Sequence, residues 1–241
     1  MKIRYCSDYH EMSHLASESI LADIKLETRA WLGVATGNSP KKVYDNLGKL
    51  YNRNLGRFKN LGIVKLDEWG GIPMDASNSC ETFIQNRILL PLKIPDKQYI
   101  AFASNPLDPQ KECDRIQNEI DSIGALDVCI LGLGKNGHIG FNEPAAFLQS
   151  KCHIAALSKV SMQHHMVDSL SDKPTYGLTL GMGDIIKSKK IILLITGVGK
   201  DEIVKELLTS KISTYLPASF LWLHANAECY IDSNSMPKLK P

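Results

Sequence analysis

The sequence predicts an α/β protein with a mostly parallel sheet flanked by helices, forming one domain over residues 1–241. Short apolar, β-branched runs alternate with segments of helical periodicity, the pattern of a parallel sheet with crossover helices. No repeat, low-complexity tract or Gly/Ser/Pro linker divides the chain. Length alone suits one sizeable domain or two small ones, and the uninterrupted alternation favours one.

Residues 10–24, HEMSHLASESILADI, place Met12, Leu15, Ala16, Ile20 and Ile24 at helical spacing and read as an amphipathic cover helix. WLGVAT (31–36) follows as a strand. The next segment, NSPKKVYDNLGKLY, has Ser39 as N-cap, Pro40 at the first helical position and Val43 with Leu47 as the buried stripe. GIVKLDEW (62–69) is a second strand. KECDRIQNEIDSIG then buries Cys113, Ile116, Ile120 and Ile123 along one helical face. Two further strands, LDVCILGLG (126–134) and KIILLITG (190–197), precede helices at GKDEIVKELLTS and PASFLWLHA, and ECYID closes the sheet.

Composition narrows the function classes. Hydrophobic residues make up 44% and charged residues 22%, ordinary for a soluble globular protein, and the formal net charge is +2. Nothing in that charge calls for a nucleic-acid or membrane partner. The lysines at 187, 189 and 190 read as a solvated turn. Six cysteines are scattered without a C-x-x-C pair or metal-like spacing, and read as reduced thiols. With no signal-peptide stretch at MKIRYCSDYHEM and no run of eighteen apolar residues, a cytoplasmic location is expected.

In open α/β sheets ligands sit at the carboxyl ends of the strands, and four stretches with chemistry lie there. VATGNSP runs from a strand through a glycine into a helix start, where free N–H groups and the hydroxyls of Thr36 and Ser39 can hold an anion; an ordinary capped turn accounts for it equally. VKLDEW ends on Asp67 and Glu68, a general base in one reading and a helix cap or solvated carboxylate in the other. LGLGKNGHIGFNEP surrounds His138 with glycines and sets Glu143 five residues on, a carboxylate able to fix an imidazole tautomer and raise its basicity. TGVGK offers Lys200 either to a phosphate or to a turn.

These stretches, in this order, resemble the glucosamine-6-phosphate deaminase/isomerase family, whose members carry T-G-x-[ST]-P, D-E-[WY] and G-x-G-x-[DN]-G-H-I-x-F-N-E-P. Within it, LDEW, NSCETF, GLGKNGHIGFNEP, CHIAAL, TLGMGDII and ISTYLPASFLWLH look most like the galactosamine-6-phosphate branch, with KNGH as the sharpest mark. The resemblance implies a Rossmann-like sheet, an amino-sugar phosphate as small-molecule partner, and aldose–ketose conversion with loss of ammonia, without metal or organic cofactor. His138 then moves a proton at the ring oxygen with Glu143 orienting it, and Asp67 carries a proton between C2 and C1. Thr36, Gly37, Asn38, Ser39 and Lys200 match phosphate-holding positions.

The chain also departs from the family pattern. Asn136 stands where many members have Asp, and an amide orients by hydrogen bonds without carrying charge. Where several members place a phosphate-binding Arg, this chain reads SMQHHM, which leaves His165 or His164 as substitutes. Allosterically activated members carry basic residues after F-N-E-P, whereas this chain has His153 and Ala155. Members range from monomers to hexamers, so a homo-oligomer stays open. The competing functions are glucosamine-6-phosphate deaminase, 6-phosphogluconolactonase, which follows its His with A-S-L-F-P instead of IGFNEP, and a sugar-phosphate-sensing domain of a transcription regulator. The sensor lacks support, because residues 1–35 are too short for a helix-turn-helix unit.

Overall fold

A computed structural model describes residues 1–24, 29–51, 53–163, 165–168 and 170–236, with residues 165 and 168 described by their backbone. Seven parallel strands form the central sheet: β1 (Lys2–Cys6), β2 (Ala30–Val34), β3 (Leu61–Lys65), β5 (Tyr99–Ile100), β6 (Val128–Gly132), β9 (Ile191–Ile195) and β10 (Ala227–Asp232). Their spatial order is β1-β10-β9-β6-β2-β3-β5. A small antiparallel sheet, in the order β4-β8-β7, joins β4 (Asp67–Gly70), β7 (His153–Ala155) and β8 (Tyr176–Thr179).

Helices cover both faces of the central sheet, which is why its inner strands β2, β6 and β9 are apolar without alternation. On one face Ile192 and Leu194 of β9 and Val128 and Ile130 of β6 pack with Met12, Ala16 and Ile20 of α1 (Tyr9–Asp23) and with Val43 and Leu47 of α2 (Asn38–Tyr51). On the other face Leu193 and Leu131 meet Cys113, Ile116 and Ile120 of α6 (Pro109–Ile123). Ile185 of α9 (Met182–Ile186) and Val204 and Leu207 of α10 (Asp201–Leu208) join them. Shorter helical turns are α3 (Leu55–Phe58), α4 (Cys80–Ile84), α5 (Leu90–Leu92), α7 (Lys159–Met162) and α8 (His165–Asp168), with a π-helical turn at Gln85–Leu89 between α4 and α5. Asp8 caps α1 by accepting from the N–H groups of His10 and Glu11, and Asp108 caps α6 in the same way.

Four local expectations are corrected. The run 62–69 is not one strand: the chain leaves the central sheet after Lys65 and re-pairs as β4 with β8, so Asp67 opens a second strand. Helix α2 starts at Asn38, which puts Ser39 in its first turn and not at the cap. PASFLWLHA forms a 3-10 turn over Pro217–Leu223, not an α-helix. Lys190 is buried and paired with Asp23 at 2.8 Å, so the lysine cluster is not simply a solvated turn. Strands β5, β7 and β8 are short, and β1, although as long as β2, is the largely exposed edge strand KIRYC without an apolar run to mark it.

Candidate active site

Strand order locates the site. From β2 the chain moves outward through β3 and β5, then returns to lay β6 on the opposite side of β2 and continues outward through β9 and β10. The switch point is therefore the crevice between the carboxyl ends of β2 and β6, where ligands of such sheets bind. The loop after β2 carries Thr36 to Ser39, and the loop after β6 carries Asn136 to Glu143. They meet there: a Cβ on Gly132 would lie 3.8 Å from the Ser39 hydroxyl. Lys200 follows β9, the next strand, and Asp67 follows β3 on the other side.

The 132–143 loop folds tightly because Gly137 takes φ +85°, a left-handed conformation that strains other residues. Gly134 serves a different need. A Cβ there would come within 2.3 Å of the His138 ring, so only glycine leaves room for the imidazole. Nδ1 of His138 lies 2.7 Å from the Asn136 side-chain oxygen, while Glu143 Oε2 is 3.5 Å away. Asn136 in turn donates from Nδ2 to Glu143 Oε2 at 2.8 Å. An amide oxygen only accepts, so Nδ1 carries the proton in this network and Nε2 is the nitrogen left to exchange one. Glu143 also accepts from the Ser161 hydroxyl and, at 3.4 Å, from the backbone N–H of Ser158. Burial works against its charge, but His138, Ser161 and Asn136 outweigh burial and hold the carboxyl down at about 2. The brace thus runs from Glu143 through Asn136 to His138.

Asp67 has the opposite environment. It is 6% exposed, and burial, with the neighbouring Glu68 charge adding to it, pushes its carboxyl from 3.8 up to about 7. His138 and Lys65 pull the other way and do not offset the burial. Oδ2 faces the His138 loop, since a Cβ on Gly140 would stand 3.6 Å from it. Glu68, by contrast, accepts from the N–H groups of Trp69, Cys80 and Glu81 and pairs with Lys65 at 2.6 Å. For Glu68 the helix-cap reading holds, and it leaves no oxygen free for chemistry.

The turn after β2 lines the same crevice. Thr36 is half-buried, with its hydroxyl 3.4 Å from the Cys80 sulfur, and Gly37 takes φ +98°. The Tyr9 hydroxyl ties the turn to α1 by donating to the Asn38 carbonyl at 2.6 Å and accepting from the Lys42 N–H. Lys200 sits at the N-cap of α10; burial and the charge of Lys135 lower its ammonium to about 8. The two ammonium groups are close enough for each charge to disfavour the other. His164 and the side chain of His165 lie outside the described residues. Among the described residues, no group of three His, Cys, Asp or Glu side chains is arranged to hold a metal ion, and no helix is long and apolar enough to cross a membrane.

The family model for glucosamine-6-phosphate isomerases/6-phosphogluconolactonase matches residues 8–230. The chain belongs to this family. Among curated relatives of the glucosamine-6-phosphate isomerase family, AgaI of Escherichia coli (strain K12), whose name carries a provisional deaminase assignment, is 41% identical over 96% of this chain and 92% of its own length. Glucosamine-6-phosphate deaminase 1 of Bacillus subtilis (strain 168) is 36% identical over 96% of this chain and 97% of its own. A solved monomeric glucosamine-6-phosphate deaminase superposes with a TM-score of 0.93 at 35% identity, covering all of both chains. At that level of agreement the chain is an enzyme of the glucosamine-6-phosphate deaminase family, and the α/β fold read from the sequence is the fold of that family.

Sequence reasoning missed Cys80, Ser158, Ser161 and Lys135 at the site. The two serines belong to the N-cap and first turn of α7, a capping pattern (Ser158 accepting from Ser161 N–H) that was legible but gave no hint of its proximity to Glu143. Lys135 lies inside LGLGKNGHIGFNEP, and its effect shows only through the charge it places near Lys200, which the sequence puts sixty-five positions away.

Proposed function

We propose that this enzyme converts D-galactosamine 6-phosphate to D-tagatose 6-phosphate and ammonia. The observation that carries the reaction is the pairing, across Gly140, of a buried Asp67 held up at about 7 with a His138 fixed by Asn136 and Glu143. Two titratable groups whose surroundings assign them separate proton tasks are the physical mark of acid–base chemistry. The choice of the galacto sugar rests on the KNGH, NSCETF and ISTYLPASFLWLH stretches.

Ring opening comes first: the free Nε2 of His138 relays a proton from the O1 hydroxyl to the ring oxygen. Asp67 as carboxylate then removes the C2 proton of the open aldehyde while the substrate's ammonium gives a proton to O1, producing an enolamine, and Asp67 returns its proton to C1. The resulting C2 imine takes up water and releases ammonia, leaving the ketose. Thr36, Gly37, Asn38, Ser39 and Lys200 hold the phosphate, an anchor far from C1 and C2 that turns binding energy into orientation. Comparison of ammonia release from galactosamine 6-phosphate and glucosamine 6-phosphate by the purified protein tests the proposal. Faster turnover of the gluco sugar overturns the branch, and hydrolysis of 6-phosphogluconolactone without ammonia release overturns the reaction.

A further inference from the structure

The first residue of α4 lies against the proposed base, and no part of the reaction scheme above uses it. We propose that Cys80 is a positioning residue: its thiol donates to Oδ1 of Asp67 and so leaves Oδ2, which faces the His138 loop, as the oxygen that takes and returns the substrate proton. This inference rests on the reading of Asp67 as the base. The Cys80 sulfur lies 3.8 Å from Asp67 Oδ1 and 3.4 Å from the Thr36 hydroxyl, and the residue is fully buried. Burial, reinforced by the charges of Glu68 and Asp67, raises the thiol well above its ordinary range, so it stays protonated and can only act as donor toward the carboxylate.

The thiol is held in place by an unusually rigid anchor. Glu68 accepts from the backbone N–H of Cys80 at 3.0 Å and of Glu81 at 2.8 Å, so the strand that carries Asp67 also caps α4. Fully buried Lys65 bridges Glu68 and Glu81, each at 2.6 Å, and Glu81 accepts from Tyr99 at 2.8 Å. Ser79 completes the cap by accepting from Thr82 N–H. Cys80 therefore cannot drift from Asp67 without breaking its N–H bond to a buried, ion-paired Glu68.

A thiol suits the task because it is a weak donor. A strong donor on Oδ1 would stabilise the carboxylate and reduce its basicity, whereas no donor would leave the group free to rotate about its Cβ–Cγ bond. The charged and titratable groups around Asp67 are Glu68 from its own strand, Lys65 from β3 (itself paired with Glu81), Cys80 from α4, His138 from its loop, Tyr44 from α2 and Cys129 from β6. Among these, Cys80 is the one whose side chain hydrogen-bonds the carboxylate.

Cys80→Ala, Cys80→Val and Cys80→Ser separate donation from packing. Each variant is compared with wild type in the pH dependence of kcat and in the titration of the Asp67 carboxyl followed by 13C NMR on carboxyl-labelled protein. Both donorless variants should raise the Asp67 midpoint and the acid limb of kcat by about half a unit and lower kcat roughly tenfold with KM little changed. Cys80→Ser should restore the midpoint to or below the wild-type value. If Val, which fills the space, behaves as wild type while Ala does not, the role is packing and the proposal fails; unchanged midpoints in all three variants also overturn it. Loss of turnover in Asp67→Asn, measured alongside, keeps the base reading separate: should that variant stay active, it is the base assignment that fails.

Discussion

Replacing Asp67 by Asn should inactivate the enzyme and stabilise it, and the second effect can be sized from the structure. Burial raises the Asp67 carboxyl from 3.8 to about 7. At about 1.4 kcal/mol per pH unit, a shift of roughly three units makes the ionised Asp67 cost the folded state about 4 kcal/mol. The sign follows from proton counting. Below an unfolded value of 3.8 both states are protonated and there is no penalty; as pH rises, the unfolded chain loses its proton first and stability falls until the folded group also ionises near 7. An amide cannot ionise, so Asp67→Asn escapes this loss, less about 1–2 kcal/mol for a buried amide with imperfect partners. Urea unfolding of both proteins from roughly pH 4 to pH 8.5 should show the variant about 1 kcal/mol less stable at the acid end, where only the amide cost remains, and about 2–3 kcal/mol more stable at the alkaline end. Turnover of the variant should fall by roughly 10²–10⁴-fold or more. Parallel stability profiles across that range would refute the claim that Asp67 is destabilised by its site.

The same titration predicts that kcat/KM rises with pH through an acid limb near 7, because Asp67 must be ionised to take the C2 proton; a pH-rate profile flat from roughly 5.5 to 8 would contradict it. Gly134→Ala places a Cβ against the imidazole and should cut kcat by about 100-fold with far less effect on KM, measured by steady-state ammonia release. Asn136→Ala removes the link between Glu143 and His138 and should cost about 10–100-fold in kcat, while Asn136→Asp should retain most activity and leave the epimer preference unchanged. Lys200→Met should raise KM for the sugar phosphate and weaken competitive inhibition by inorganic phosphate, leaving thermal stability equal or higher because a half-buried cation is removed. N-acetylglucosamine 6-phosphate should not accelerate the enzyme if, as the family resemblance implies, His153 and Ala155 replace the basic residues of activated members; a clear rate increase would reverse that expectation.

How much of this was legible in the sequence depended on how local each cause was. The central strands at 30–34, 128–132 and 191–195 announced themselves because a strand covered on both faces must be apolar throughout. The glycines around His138 were visible for the same kind of reason, since their demands are set within a few residues. Cys80 was not: its meaning comes from Glu68, twelve residues earlier, and from Thr36, which contacts it across the crevice. The break between β3 and β4 was also hidden, because GIVKLDEW carries one unbroken β-like pattern while only the distant β8 decides that its second half pairs elsewhere.

That hidden break explains why two adjacent carboxylates came to have different roles. In a single continuous strand Asp67 and Glu68 would point to opposite faces of one sheet, each beside side chains of the same kind. By leaving the central sheet at Leu66, the chain turns Glu68 into the interior against three N–H groups and a lysine, and turns Asp67 toward the glycine loop with the Cys80 thiol hydrogen-bonded to it. Fully satisfied, Glu68 has no capacity left to move a proton, and its fixed charge helps raise its neighbour toward neutrality. The far side of the crevice is built the other way, with Glu143 held down at about 2 so that its charge is constant at any pH where the enzyme works. On the proposed scheme, a base poised near 7 opposite a permanently ionised brace would let Asp67 exchange protons while Asn136 and His138 keep one arrangement throughout the cycle. Exchanging the two residues, as Asp67→Glu with Glu68→Asp, should therefore destroy both the α4 cap and the base; recovery of turnover in that double variant would show that composition at the strand end matters more than placement.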